Sequence, residues 1–288
     1  MEQSQKIQAG ATATVQAATS EPRLRWYGAD LLEVLALSGY GIWILLGLML
    51  GLGIYSEGRG QALVPLALGC GFVSAGLLVA CLRLPILPDW HGWQLGRGSR
   101  PTRKAMLAFA AFLPMLAVAG LVRGSNDFWA TRVAGAALLA SSVVSLIYTA
   151  SEHRRLGLSN SPTTAWWFSH ALSACYVGGL WLWLCVAAQD ESVNRISSAS
   201  WVMSLLVLAV LLALVESLRS QTSRNHGESG PYARWLVALL VYGWPSLALL
   251  WSYIEGDSVW LATSAALSCG LGKILELRQY DAASAGRS

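Results

Sequence analysis

The stretch LLEVLALSGYGIWILLGLMLGLGIY, residues 31–55, decides what kind of molecule this is. It carries a single charge, Glu33, along its whole length. As an α-helix it extends about 37 Å, more than the roughly 30 Å hydrocarbon core of a bilayer. It lacks the strict apolar–polar alternation of a barrel strand, and in lipid only helices and closed barrels satisfy the backbone. Seven more apolar runs follow, at 61–82, 105–122, 129–150, 164–188, 198–218, 233–254 and 259–275. Together they predict an all-α integral membrane protein with eight transmembrane helices in a bundle. Arg132 stands one turn inside the fourth run and is expected to snorkel to the interface. Pro65, Pro114 and Pro245 fall inside runs, where neighbouring helices absorb a kink.

The composition of all 288 residues agrees. Only 12% are charged, where a soluble domain carries roughly 25%. Hydrophobic residues make up 55%, and mean hydropathy is +0.48. A soluble globular enzyme, a disordered chain and a secreted disulfide scaffold are therefore excluded. Residues 1–26 read as a disordered polar tail without the apolar core of a signal peptide, 27–279 as the transmembrane domain and 280–288 as a C-terminal tail.

Basic residues set the expected orientation. Lys6, Arg23, Arg25, Arg83, Arg97, Arg100, Arg103, Lys104, Arg154, Arg155, Arg219, Arg224, Arg234, Lys273, Arg278 and Arg287 fall on the side of the N-terminus. The opposite side has Arg59, Arg123, Arg132 and Arg195. The positive-inside rule then places both termini in the cytoplasm.

Metal-binding signals are absent from the motif pattern. Cys70, Cys81, Cys175, Cys185 and Cys269 all fall within spans without C-x-x-C spacing, and read as small packing residues rather than iron–sulfur or zinc ligands. His91, His153 and His226 fall in loops, and His170 alone lies within a span. A membrane haem generally takes two facing histidines, so neither haem nor an iron–sulfur cluster is expected in this chain. No phosphate-cradling glycine loop, nucleophile motif or H-E-x-x-H is present, and no nucleic-acid partner is expected.

Among the few ionisable residues within spans, Glu33, Glu216 and Lys273 each lie near a cytoplasmic end. They are read as interface charges satisfied by water or loop partners, because ion pathways usually place charges near mid-membrane. The 83–104 segment, RLPILPDWHGWQLGRGSRPTRK, is the longest connection. Its aromatics and basic residues suit membrane-interface anchoring and contact with anionic lipid. They equally suit a polar mouth for a ligand arriving from the bilayer, beside a docking face for a cytoplasmic subunit.

Several stretches together resemble the membrane-anchor subunit family of dimethyl sulfoxide reductase. SGYGIWILLGL, from Ser38, is similar to the family's S-G-x-G-Y-G-L-x-x-L-L-G-L. AGLL at 75–78 resembles the end of its second span, and R-G-S-R-P-T-R-K at 97–104 resembles R-S-S-W-L-S-R-E before its third. I-Y-T-A at 147–150, followed by Pro162 and Thr163, is similar to I-Y-A-S with a later P-L-T. G-K-I-L-E-L-R-Q-Y-D-A, from Gly272, is similar to G-x-L-L-E-R-W-L-F-x-A.

The resemblance implies a haem-free, non-catalytic subunit in a bacterial cytoplasmic membrane. It would anchor an iron–sulfur electron-transfer subunit that contacts a molybdopterin catalytic subunit holding molybdenum or tungsten. A pocket for ubiquinone or menaquinone would lie near the loop between spans two and three. Arg83, Asp89, Trp90, His91, Trp93, Arg103, Lys104 and Tyr40 are the candidate quinone contacts, and Arg97, Arg100, Arg154 and Arg155 the candidate docking residues.

Two departures bear on direction. Arg83 stands where the family has a histidine, and Lys104 where it has a glutamate, both of which act around quinol oxidation. Arg does not release its proton at ordinary pH, and Lys does so only when strongly desolvated. A cationic pair instead stabilises negative charge on a quinone being reduced. The expected flow is therefore toward quinone, with His91, Asp89 or Tyr40 handling protons, as in the phenylacetyl-CoA:acceptor oxidoreductase type. The alternatives are a plain anchor with a decayed quinone site, a secondary transporter, and a haem-bearing cytochrome subunit.

Overall fold

The computed structural model of the chain describes residues 27–54, 61–82, 102–122, 129–155, 163–189, 195–222, 231–256 and 258–285. Among them every regular element is helical. In chain order they are α1 (Tyr27–Leu52), α2 (Leu63–Leu82), α3 (Thr102–Leu121), α4 (Trp129–Arg155), α5 (Thr163–Gln189), α6 (Arg195–Thr222), α7 (Pro231–Ala238), a π-turn (Leu239–Gly243), α8 (Trp244–Glu255) and α9 (Val259–Ala285). Because α7, the π-turn and α8 run on without a break, each apolar run of the sequence falls on one helical rod.

Among the described residues, five stretches are long and apolar enough to cross a membrane: Asp30–Leu52, Trp129–Tyr148, Trp167–Gln189, Ser200–Leu218 and Tyr232–Glu255. Leu63–Leu77 and Ala110–Leu121 are apolar but shorter. In α9 the apolar run is interrupted by Lys273 and Glu276.

Cross-contacts fix the relative directions of the rods. Gly39 meets Gly69 and Ala36 meets Gly76, so α1 and α2 are antiparallel. Gly47 meets Gly135, and Gly53 meets Arg132, which makes α1 and α4 antiparallel. Trp244 bonds Ser264, and Gln279 bonds the carbonyl of Ala233, so α9 returns along the α7–α8 rod. Asp30, near the start of α1, faces Arg278, near the end of α9, at 3.9 Å. Both ends of the described chain therefore stand at one end of the bundle.

Packing explains why α1 is central: 61% of its apolar window is buried, against 22% for α6. Its glycines admit three neighbours. A Cβ on Gly39 would stand 2.8 Å from the Gly69 carbonyl oxygen, and one on Gly47 would stand 2.7 Å from that of Gly135. A Cβ on Gly41 would overlap the Ala174 carbonyl, and one on Gly178 would overlap the Gly41–Ile42 peptide. So α2, α4 and α5 each lie backbone-to-backbone against one glycine of α1. Lipid tails are as apolar as leucine, so close van der Waals packing of this kind, rather than hydrophobic burial, holds membrane helices together.

Two apolar clusters result. One joins α1 to α2, α3 and α4 around Trp43, Leu46, Leu66 and Leu138; the other joins α5 to α6, α8 and α9 around Leu180, Trp183, Leu205 and Leu249.

Helix ends follow local chemistry. At Gly53 (φ +70°) the amide of Gly53 bonds the Leu50 carbonyl and that of Ile54 bonds the Met49 carbonyl, a Schellman cap that a glycine accommodates without strain. The Arg132 guanidinium lies against this cap, where a cation complements the helix C-terminus. Pro65 falls in the first turn of α2, where its missing N–H would have had no partner, so no kink is required there. Pro114 stays within an unbroken α3.

Candidate functional site

Most residues singled out in the sequence lie outside the described residues: Arg83, Asp89, Trp90, His91, Trp93, Arg97 and Arg100. Arg103 and Lys104 stand in the first turn of α3, and Arg154 and Arg155 are the last two residues of α4. Helix direction puts these two helix ends at the end of the bundle where α1 begins.

Tyr40 is described in full. It is buried on α1, with its ring edge-on to Trp43 at 6.2 Å. Trp43 is edge-on to Phe112 of α3 at 5.4 Å, and its indole N–H donates to the Leu66 carbonyl of α2 at 3.3 Å. The Tyr40 hydroxyl is engaged with Ser145 of α4, whose hydroxyl donates to the Leu107 carbonyl of α3 at 3.2 Å. Tyr40 thus belongs to an aromatic wall shared by four helices, with two hydroxyls at its polar point.

The densest chemistry among the described residues is elsewhere. The ammonium of Lys273 on α9 donates to Glu216 Oε1 of α6 and to Glu276 Oε2 of its own helix, each at 2.8 Å. Tyr242, in the π-turn, donates its hydroxyl to Glu216 Oε2. The Lys273 side chain is 7% exposed, and those of Glu216 and Glu276 are 21% and 18% exposed. One ammonium and two carboxylates sum to a formal charge of −1. Counted from the start of α9 at Val259, Lys273 lies about 21 Å along the axis, roughly two-thirds of a hydrocarbon core. The expectation of interface charges satisfied by water or loops is therefore corrected for Glu216 and Lys273, which pair with each other inside the bundle.

The π-turn is what presents Tyr242. Pro245 has no N–H, and its ring would strike the carbonyl four residues back, at Val241, in a regular helix. The extra residue of the π-turn relieves this, and the amide of Trp244 bonds the Leu239 carbonyl instead. The Leu240 carbonyl accepts from the Ser268 hydroxyl of α9 at 2.9 Å. Gly272 lets α9 come close: a Cβ there would stand 3.0 Å from Leu240 Cβ and 3.1 Å from the Val241 amide nitrogen. Single π-turns of this kind recur at functional sites.

Beside Tyr242 stacks Tyr176 of α5, with ring centroids 6.4 Å apart and planes at 22°. Tyr176 is wholly buried, and its hydroxyl faces Ser246. The buried thiol of Cys269 completes the surroundings. Sequence reading singled out Glu216 and Lys273 but did not join them, because they are 57 positions apart. The signals were the carboxylate Glu216 within an apolar run and the Lys273/Glu276 pair three apart in another.

The four described cysteines are free thiols, Cys185 and Cys269 buried and Cys70 and Cys175 partly so. Among the described residues no group of three His, Cys, Asp or Glu side chains is arranged to hold a metal ion. Comparison with protein-family models, with curated proteins and with solved structures finds no match.

Proposed function

We propose that this chain is the membrane-anchor subunit of a molybdopterin/iron–sulfur oxidoreductase, holding the iron–sulfur subunit at a bacterial cytoplasmic membrane and passing electrons to quinone. One observation carries the reading. SGYGIWILLGL from Ser38, one of the stretches that together carry the family resemblance, is the hub of the bundle, and its three glycines are the contact points for α2, α5 and α4. A pattern of glycines that neighbouring backbones require is a physical reason for that motif to specify a fold.

In this reading all eight rods cross the bilayer. The pairing of Asp30 with Arg278 supports an even number of crossings, since it holds the start of α1 beside the end of α9. The positive-inside rule makes that end cytoplasmic. The helix ends bearing Arg103, Lys104, Arg154 and Arg155 stand there too, which suits docking of a partner with acidic patches.

Quinone takes up electrons and protons at a polar point in an apolar niche. The donor chemistry around Tyr40 fits such a group: two hydroxyls, Tyr40 and Ser145, against the aromatic rings of Trp43 and Phe112. With Arg83 and Lys104 they are the residues proposed to hold it.

The test is purification of the tagged chain in mild detergent with mass spectrometry of what accompanies it. The reading predicts two larger chains, one with iron–sulfur cysteine motifs. A chain that purifies alone and drives solute uptake in vesicles would instead establish a proton-coupled transporter. That second reading is favoured by the charged cluster of Glu216, Lys273 and Glu276 within the bundle.

A further inference from the structure

Four side chains of α6, α9 and the π-turn form one unbroken line of hydrogen bonds inside the apolar bundle. It runs from Glu276 to the Lys273 ammonium, from there to Glu216, and from Glu216 to the Tyr242 hydroxyl. Every link is an exchangeable N–H or O–H facing a carboxylate oxygen. Glu276 keeps 18% of its side chain accessible, near the end of the bundle where α1 begins, whereas the stacked Tyr176 at the inner end has none of its surface accessible.

We infer that Glu276, Lys273, Glu216 and Tyr242 form a proton inlet, leading from the bundle end where α1 begins to the Tyr242 hydroxyl, beside the buried ring of Tyr176.

Three features favour conduction over a purely structural tie. First, Lys273 is met by two partly exposed carboxylates where one would suffice to neutralise it, and a structural tie alone does not need the second. Second, Tyr242 reaches Glu216 through a π-turn, a local departure from regular helix that is held by Ser268 and admitted by Gly272. Third, the fully buried Tyr176, its hydroxyl facing Ser246, stacks on Tyr242 just beyond the inner end of the line. The ionisable groups facing this line are Glu216 from α6, Tyr242 from the π-turn, Tyr176 from α5, and Cys269, Lys273 and Glu276 from α9. The neighbouring pair Asp30–Arg278 stands at the same end of the bundle.

Atoms balance at each transfer. A proton from hydronium binds a Glu276 oxygen and leaves water. Lys273 and Glu216 relay it to the Tyr242 oxygen, and the hydroxyl proton it displaces returns by the same groups to water, so no charge is left inside. No electron moves. The inference stands apart from the anchor reading, although a quinone being reduced consumes protons that such an inlet would deliver.

The test uses the full chain in lipid nanodiscs, without partners or quinone. The sample is moved from H2O to D2O, and exchange of the Tyr242 hydroxyl is followed by its phenol C–O infrared band, assigned with Tyr242→Phe. Wild type is expected to exchange fast. Glu276→Gln and Lys273→Met are each expected to slow exchange about tenfold or more, the lower range for losing a positioned acid or base. Glu276→Asp, which keeps the carboxylate, is expected to stay fast and guards against misfolding as the cause. Equal rates in wild type, Glu276→Gln and Lys273→Met would overturn the inference. So would a Glu276→Asp protein that is folded by circular dichroism yet as slow as Glu276→Gln. Neither result bears on whether iron–sulfur and molybdopterin chains accompany the subunit.

Discussion

Lys273 on α9 and Glu216 on α6 meet at 2.8 Å, nitrogen to oxygen, across 57 positions of sequence and inside a helical bundle. Glu276, one turn along α9, takes the same ammonium at the same distance. Removing the cation leaves two carboxylates confined together. Lys273→Met is therefore expected to cost about 3–5 kcal/mol, seen as a lowered unfolding temperature in detergent. The triple variant Lys273→Met/Glu216→Gln/Glu276→Gln should recover most of that loss. If Lys273→Met alone unfolds like wild type, the cluster is not an ion-paired unit.

Glycine positions in the bundle divide sharply by what surrounds them. Gly41 and Gly178 are pressed against each other's backbones, whereas Gly71 and Gly270 have nothing within 4 Å of an added Cβ. Gly41→Ala is expected to destabilise by about 1–3 kcal/mol or more through overpacking, and Gly71→Ala and Gly270→Ala to be neutral or slightly stabilising. Thermal unfolding of the three variants side by side checks this; equal effects at Gly41 and Gly71 would contradict the close α1–α5 contact.

Ser268 and Pro245 are coupled through the π-turn. Ser268→Ala removes the donor to the Leu240 carbonyl and should cost about 1 kcal/mol. In a Pro245→Ala background, the restored N–H lets the segment close into regular helix, so Ser268→Ala should cost much less. A double-mutant cycle measures the difference, and strict additivity would show that Pro245 does not cause the π-turn.

How much of this was legible in residue order depends on the range of the interaction. The eight apolar runs read directly because length and lack of charge are local properties, and each falls on a rod. The packing role of Gly39, Gly41 and Gly47 lay within the motif that marked the family resemblance, but its reason is three-dimensional. Pro65 looked like a kink until the start of α2 at Leu63 put it in the first turn. The π-turn was hidden because Pro245 signals a disturbance without saying how the helix answers it. Glu216, Tyr242 and Lys273 are too far apart in sequence for any spacing rule to join them. Seven of the twelve candidate quinone and docking residues fall outside the described residues. Of the other five, Tyr40 lies within the aromatic core of the bundle rather than at a mouth.

In the proposed reading the direction of electron flow rests on charge: Arg83 and Lys104, both cationic, would stabilise negative charge developing on a quinone. Lys104→Glu is accordingly expected to lower quinone reduction in membranes about tenfold or more, as removal of an electrostatic donor does. Unchanged turnover with decylubiquinone would show that Lys104 has no part in it.

The most direct measurement is the metal content of the material that purifies with this chain after gentle solubilisation. The account predicts iron together with molybdenum or tungsten, all bound in accompanying larger polypeptides and none in this one after separation. A metal-free chain travelling alone, or an iron porphyrin retained by the isolated chain, would contradict it.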